Sequence, residues 1–594
     1  MTTVALEPPV PRTPPIVLRL LALDLDGTLA EFGIIEPPVH AALEAARTAG
    51  FALVLVTGRI LSDVRVLLGG SKVFQAVVAE EGGAIYFPAQ GRTVALAPDP
   101  SEVLMTTLRD RGIWARAGMS IVELDAKDAG AALTVIRELQ LPLVLHFNRS
   151  RVMVLPQSIT KATGLREAAR MLRMSLHDAL AIGDAENDHE LLHACEIGVA
   201  VGWGSPALQR VADHVLPGTG PQMVAEFLHK LAAGQRLEPT LRRRPLLLGR
   251  DRDGRVSTVP ATGSNLLVAG DPRSGKSWIA GLLCEQLIAQ QYSVCLIDPE
   301  GDYSELEALH GVLVLGGEDP PPSIRYLLRL LRHADLSIVV DLSRLELRQK
   351  RDYVLELLPQ LAELRRTSGL PHRLVIDEAH HFLHDDEAVA ALGDAGSGLV
   401  LVTYQVRRLV PALLAKVGCA VVTKVTDPEE VTALHRAFGG NGGVGDWLTS
   451  LSSLEIDEAA RLPCGGDGSG TLRRLRIAPR LTRHVRHSRK YLDLLVPPSM
   501  GFQFVLADGR RGPCARSLQQ LVDTLAALPP MQIAGHIARG DFSRWIDGVF
   551  QDATLAASVE ALEERQRKGG GVDFGGAVIH AVHGRYGVVD DLLL

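Results

Sequence analysis

Twice along this chain a short, Leu-rich strand pattern runs straight into a glycine-bearing turn and then into a longer helical pattern. Residues 17–25 lead into Asp26-Gly27-Thr28, and residues 265–269 lead into Gly270-Asp271-Pro272-Arg273-Ser274-Gly275-Lys276-Ser277. A strand that is apolar on both faces needs cover on both faces, so its alternation with helices predicts parallel sheets between helical layers, an α/β fold. In such sheets ligands bind beyond the carboxyl ends of the strands, where both turns fall.

With 594 residues the chain has room for several full cores without disulfide or metal staples. A net charge of −7 gives no overall attraction to nucleic acid, so any such surface has to be local. The six cysteines form no CxxC pair, which argues for free thiols in a reducing compartment. Residues 1–15 carry Glu7 and five prolines and lack the apolar core of a signal peptide. No apolar run approaches the roughly 20 residues that span a bilayer. These features predict a soluble, cytoplasmic protein with no membrane partner.

The polar, basic, proline-bounded stretch 235–245 reads as a linker, and Val496-Pro497-Pro498 marks a second break. The expected segments are therefore 16–232, a linker at 233–245, 246–495, and a small C-terminal module at 500–594.

Asp24 and Asp26 stand one residue apart at a strand end, where they can converge on one metal and one phosphate. Asp24 suits covalent attack on phosphorus, and Asp26 suits protonation of the leaving oxygen followed by deprotonation of water. Gly27 permits the sharp turn that aims backbone N–H groups at the phosphate. Carboxylates and phosphate repel one another without a divalent cation, and an all-oxygen ligand set favours Mg²⁺. A calcium loop is a competing reading, but no DxDxDG spacing follows and no glutamate stands where an EF-hand needs one. A plain acidic turn is another.

The context narrows the choice. A second apolar run, 53–56, ends in Thr57-Gly58-Arg59, where a hydroxyl and backbone amides suit phosphate oxygens. Lys161 stands at a predicted helix start, and the apolar run 179–182 ends in Gly183-Asp184-Ala185-Glu186-Asn187-Asp188. DLDGT, TGR, a single lysine and GDAEND in this order resemble the haloacid dehalogenase (HAD) phosphatases of the Cof-like, type IIB subgroup. The resemblance covers about residues 18–215. It implies a Rossmann-like core with Asp24 as nucleophile and Asp26 as acid/base, its backbone carbonyl also on Mg²⁺. It further implies phosphate binding by Thr57, Gly58 and Lys161, with Asp184 completing the metal site. Asn187 and Asp188 would orient Lys161 and the phosphate or metal waters. The intervening stretch, about 84–157, is too long for a simple crossover. The resemblance makes it an α/β cap that selects a small phosphorylated metabolite, often a sugar phosphate.

Gly270–Ser277 matches GxxxxGK[ST] between a predicted strand and a predicted helix, the context that this phosphate-cradling loop requires. Its backbone amides (Gly270, Asp271, Pro272, Arg273, Ser274 and Gly275 form the loop) would cradle ATP phosphates. Lys276 would neutralise the β/γ oxygens and Ser277 would ligate Mg²⁺. The strand 373–376 carries Asp377 for the magnesium shell and Glu378 to polarise water, and Gln405 follows another strand as a γ-phosphate sensor. With IDPEGDY and IDEAHHF, this set resembles the HerA/FtsK branch of P-loop ATPases over about 246–490. That implies a RecA-like domain and a hexameric ring that often translocates DNA or polypeptide. Arg407 and Arg408 are candidates for the arginine that a neighbouring subunit supplies, set against ordinary surface arginines.

Residues 471–490 hold eight Lys/Arg, two His and no acid, so they suit either phosphate contacts or a basic strap docked on acidic neighbours. The expected function is Mg²⁺-dependent phosphomonoester hydrolysis joined to ATP hydrolysis. The alternatives are a DNA-processing motor whose phosphatase trims nucleic-acid ends, and a ligand-sensing regulatory ATPase.

Overall fold

The computed structural model describes residues 18–148, 151–235, 237, 244–393, 398–439, 441–462, 471–482, 492, 496, 500–550, 552–569 and 573–586. Most of the expected linker lies outside them, as do 483–490 of the basic stretch. Residues up to Pro299 together with Tyr303–Arg483 form one compact unit, and Glu300–Asp302 with the residues from His484 onward form the other.

In the first unit, β1 (Leu20–Asp24), β2 (Ala52–Val56), β3 (Ala76–Ala79), β4 (Ala84–Phe87) and β5 (Arg92–Ala95) share a sheet with three later strands. A separate sheet holds β6 (Ala115–Ala117), β7 (Val122–Asp125), β8 (Leu143–Asn148) and β9 (Arg151–Pro156). The chain then returns to the first sheet as β10 (Ala179–Gly183), β11 (Ile197–Val201) and β12 (His214–Leu216). The eight-stranded order is β12-β11-β10-β1-β2-β3-β4-β5, parallel from β12 to β3. Leu21 and Leu23 face one core while Leu20 and Ala22 face another, so β1 is buried from both sides, as its unbroken apolar run predicts.

The expected cap insertion begins at about 84, but β4 and β5 belong to the core sheet. Tyr86 of β4 folds back antiparallel onto Val77 of β3. The separate, antiparallel sheet β6-β7-β9-β8 starts only at Ala115, with helices Glu102–Asp110 and Ala129–Glu138 packed against it. Short alternating hairpin strands look alike whether they extend a sheet or start a new one.

The remainder of the unit is an eleven-stranded sheet. Its strands are β13 (Pro245–Asp251), β14 (Val256–Pro260), β15 (Asn265–Ala269), β16 (Val294–Asp298), β17 (Val312–Gly316) and β18 (Ser337–Asp341). β19 (Arg373–Ile376), β20 (Leu399–Thr403), β21 (Val417–Val422), β22 (Glu458–Arg461) and β23 (Arg473–Ile477) complete it. The order is β14-β13-β23-β22-β21-β15-β20-β19-β16-β18-β17, with the seven strands from β21 to β17 parallel.

The two sheets meet at the starts of their strands. Glu196, just before β11, accepts hydrogen bonds from Tyr292 (2.9 Å), Thr262 (2.6 Å) and Arg244 (3.0 Å), and His177 stacks on Tyr292 at 3.6 Å. His372, just before β19, accepts from the Ser293 N–H (2.8 Å) and donates to Ser175 (2.9 Å), just upstream of β10.

In the second unit, β24 (Phe502–Val505) and β25 (Arg511–Ala515) form a hairpin packed with helices around Phe504, Phe542 and Phe574. His536 accepts the Val505 N–H (2.8 Å) and pairs with Asp541 (2.7 Å), so this pair ties hairpin to helix. Among the described residues no helix is long and apolar enough to cross a membrane.

Burial opposes a charge on Glu196, but its bonds with His177 and Thr262 and the nearby Arg244 outweigh it and hold the carboxyl at about 2. A depressed carboxyl contributes stability that is present above its unfolded value and lost as pH falls through the folded one. From 4.5 to about 2, the contribution is on the order of 3 kcal/mol. Glu196→Gln is expected to lower the urea midpoint of the first unit at pH 7 and to flatten its decline between pH 5 and 2. A variant curve parallel to wild type across that window would refute this.

Candidate functional site

Asp24 ends β1, and strand register sets its neighbours: Asp24 lies opposite Val56, so Thr57 follows alongside, and Leu23 lies opposite Ile182, which brings Gly183 and Asp184 level with it. Three parallel strands thus deliver their carboxyl ends to one place. Lys161 opens the helix Lys161–Leu172, whose start is fixed by a reciprocal Thr160–Thr163 cap.

The lysine is the centre of the site. Its Nζ donates at 2.7 Å to Asp24 and at 2.7 Å to Asp188, and all three side chains are buried. Asp188 uses its other oxygen to accept the N–H groups of Asp184 (3.0 Å) and Ala185 (3.1 Å), which folds its own loop inward. Gly183 is required there, because a Cβ would sit 2.6 Å from the Asp188 carboxylate. Ligand oxygens of Asp24, Asp184 and Asp188 lie within 4.8 Å of one another.

Burial, and then the neighbouring Asp188 charge, push the Asp24 carboxyl well above its ordinary value, against the pull of Lys161. Burial disfavours the Lys161 ammonium, but Asp188, Asp24 and Glu81 outweigh it and raise the group. The pocket thus has more negative than positive charge.

The Asp26 carboxylate is turned aside from this cluster. Arg59 of the TGR motif clamps it through two bonds, of 2.7 and 2.5 Å. Thr57 is buried, accepts the Arg59 N–H (3.2 Å) and adjoins Gly58 in the same turn. Asn187 donates to Glu81 (3.1 Å), and Trp203 donates to the Gly27 carbonyl (2.8 Å). The sequence motifs did not single out Glu81 or the Arg59–Asp26 clamp. Glu81 carries a signal that could have found it: two glutamates and two glycines at the end of an apolar strand, the same kind of place that holds Asp24.

The second site lies at the ends of β15, β19 and β20. Gly270 (φ 153°), Arg273 (φ 64°) and Gly275 (φ 100°) shape the loop, and Lys276 opens helix Lys276–Ala289 with its Nζ on the Asp271 carbonyl at 2.9 Å. Thr426 ties the loop at Asp271 (2.7 Å), and Ser277 follows Lys276 in the helix.

Asp377 and Glu378 are buried after β19, Glu378 in the left-handed region at φ 46°. Between Glu378 and β20 sits His380, whose Nδ1 meets Thr403 at 3.0 Å and lies 3.6 Å from Glu378. Burial and surrounding cations hold this imidazole down at about 2, so it is neutral at pH 7. Gln405 accepts from Arg408 (3.2 Å), and Arg407 is paired with Glu430 (3.1 Å) and Glu429. Both candidate ring arginines therefore engage side chains of their own chain.

In the basic stretch, Arg474 pairs with Glu458, Arg476 with Asp457 (2.7 Å), and Arg480 with Glu285 and Glu305 (2.8 Å each). The described part is a strap docked on its own domain.

Comparison with known proteins follows this division. Residues 131–228 match the profile of the haloacid dehalogenase-like hydrolases, and residues 267–390 match that of the central domain of helicase HerA. A phosphoglycolate phosphatase of Methanothermobacter thermautotrophicus is 27% identical over 223 residues, 36% of this chain and 98% of that protein. Phosphoglycolate phosphatase 2 of Saccharolobus solfataricus is 26% identical over 222 residues, 36% of this chain and 93% of its own length. Among solved structures, a haloacid dehalogenase-like hydrolase from Bacteroides thetaiotaomicron aligns over 36% of this chain and 99% of its own, with 20% identity and a TM-score of 0.32. One polypeptide thus carries a stretch similar to haloacid dehalogenase-like hydrolases and a stretch similar to the central domain of helicase HerA.

Proposed function

We propose that the first site hydrolyses a small phosphomonoester through an aspartyl-phosphate on Asp24, with Mg²⁺ as cofactor. The observation that carries this reading is Lys161, bonded at 2.7 Å to both Asp24 and Asp188 with Asp184 alongside. The donor set fits Mg²⁺: every converging ligand atom is a carboxylate oxygen, and the raised Asp24 carboxyl marks negative charge that one lysine leaves uncompensated. Asp24, Asp184, Asp188 and the Asp26 carbonyl would hold the cation, which when bound neutralises the carboxylate–phosphate repulsion.

Asp24 attacks phosphorus while the P–O bond to the leaving group breaks, and Asp26 gives that oxygen its proton. Asp26, now a carboxylate, takes a proton from the water that cleaves the aspartyl-phosphate. The Arg59 fork, which takes both Asp26 oxygens, has to open for Asp26 to carry that proton, and Thr57, Gly58, Lys161 and Asn187 bind the phosphoryl oxygens. Because the relatives are named as phosphoglycolate phosphatases over nearly their whole length, 2-phosphoglycolate is our first candidate substrate, ahead of sugar phosphates.

In the second site, Gly270–Ser277 binds ATP, and Ser277 and Asp377 hold its Mg²⁺. Glu378 polarises the attacking water and Gln405 senses the γ-phosphate. Free cysteines at every described position fit a cytoplasmic home. Assembly into a ring belongs to the same reading, and native mass measurement with and without ATP tests it.

Asp24→Asn is expected to lower turnover of 2-phosphoglycolate by roughly 10³-fold or more. EDTA should have the same effect, reversed by excess Mg²⁺. Phosphate release by the Asp24→Asn variant at the wild-type rate, on this substrate or on a panel of sugar phosphates, would defeat the mechanism.

Lys276→Ala should abolish ATP hydrolysis while leaving phosphatase turnover within about twofold of wild type, since the lysine acts only on β/γ oxygens. ATP hydrolysis that survives this substitution would mean that Gly270–Ser277 does not hold the nucleotide.

A further inference from the structure

We propose that Glu81 is a positioning residue of the phosphatase site, holding Asn187 and, through it, the loop that sets Asp188 against Lys161. This rests on the reading of Asp24, Lys161 and Asp188 as the phosphoryl-transfer centre.

Glu81 is 1% exposed and sits in the left-handed region at φ 52°, between Glu80 at φ 58° and Gly82 at φ 104°. Two consecutive non-glycine residues in that region persist only where their surroundings fix them. Here the fixing bonds come from the motifs themselves. Glu81 N donates to the Thr57 carbonyl (3.3 Å), and Glu80 N donates to the Arg59 carbonyl (2.9 Å). The Glu80 carboxylate accepts the N–H groups of Leu61 (3.2 Å), Met119 (3.1 Å) and Ser120 (2.9 Å), which ties the turn to both core and cap linker. Gly82 abuts the Thr160 carbonyl so closely that a Cβ would lie 2.0 Å from it, so the turn presses directly on the cap of the Lys161 helix.

The strained turn delivers one group: the Glu81 carboxylate, whose Oε1 accepts from Asn187 Nδ2 at 3.1 Å. The bond fixes which way the amide faces, because only the NH₂ end is a donor. Asn187 is directly followed by Asp188, so the bond also pins the loop that presents Asp188 to Lys161. Glu81 adds to Asp188 and Asp24 in favouring the Lys161 ammonium. A further buried carboxylate in an already negative pocket is costly unless it is paired, and a packing role alone would be filled better by an apolar side chain.

Steady-state hydrolysis of 2-phosphoglycolate by the full chain tests the assignment. Glu81→Ala should lower kcat roughly 10- to 100-fold with KM changed less than about threefold, because the loss is one of alignment. Glu81→Gln keeps the acceptor oxygen and should recover most of kcat. Asn187→Ala should cost much less in the Glu81→Ala background than in wild type. If Glu81→Ala does not fold, Glu81→Asn decides: asparagine tolerates the left-handed turn but is one methylene short of Asn187, so the same kcat loss is expected. A folded Glu81→Ala or Glu81→Asn variant with wild-type kcat, or effects of the two sites that simply multiply, overturns the proposal. Wild-type turnover that Asp24→Asn does not remove instead overturns the underlying reading of the site.

Discussion

A lysine ammonium with almost no exposure to water is held by two carboxylates at 2.7 Å each, and the order of the phosphatase half follows from that arrangement. An isolated charge buried in this way costs several kcal/mol, and removing one partner of a buried pair leaves the other uncompensated. Lys161 can be buried only if Asp24 and Asp188 are buried with it. They in turn require β1 and β10 side by side in register, a helix starting where Thr160 caps it, and a loop that bends on Gly183. One lysine does not balance Asp24, Asp184, Asp188 and Glu81. The fold therefore gathers more carboxylates than cations at this one place.

Beside this cluster, the acid/base candidate is kept apart. Asp26 follows Asp24 by two residues, yet its carboxylate turns away to the Arg59 fork instead of joining the lysine. The two carboxylates have different surroundings, one water-free and crowded by like charge, the other paired with a guanidinium and partly open. The two can part because β1 ends at Asp24 and the chain is already turning at Leu25, a turn that Gly27 continues at φ 88°.

The parts of the molecule legible in the sequence are those in which a motif sits at a strand end. Asp24, Thr57, Asp184 and Asp188 were readable because continuous apolar runs announce buried parallel strands, and polar residues just after such runs have one place to go; Lys161 was readable as a helix start. Glu81 and Arg59 were not assigned these partners because a pairing across 106 or 33 positions leaves no local periodicity. The start of the separate four-stranded sheet was hidden for a different reason: only the partner strand decides which sheet the hairpin strands β4 and β5 join. The Glu196 junction draws on residues from Ser175 to His372 and has no motif. It is a set of ordinary polar residues that become significant only once two sheets face each other.

That junction constrains how two activities in one chain can influence each other. Ser175 lies just before β10 and His372 just before β19, and they touch at 2.9 Å. Both candidate sites lie at the far, carboxyl ends of those strands. With about 3.3 Å of rise per residue along strands of this length, the sites are separated by on the order of 30 Å through two sheets set start to start. A product cannot pass directly from one site to the other across such a core, and screened charges do not act over that distance. Coupling would have to be carried by the strands themselves as small shifts of one sheet against the other. A buried carboxylate held by Tyr292, Thr262 and Arg244 resists such sliding, because it has no water to fall back on when a partner moves away. The geometry thus favours two sites on one stiff body, each responding to its own ligand, over a relay between them.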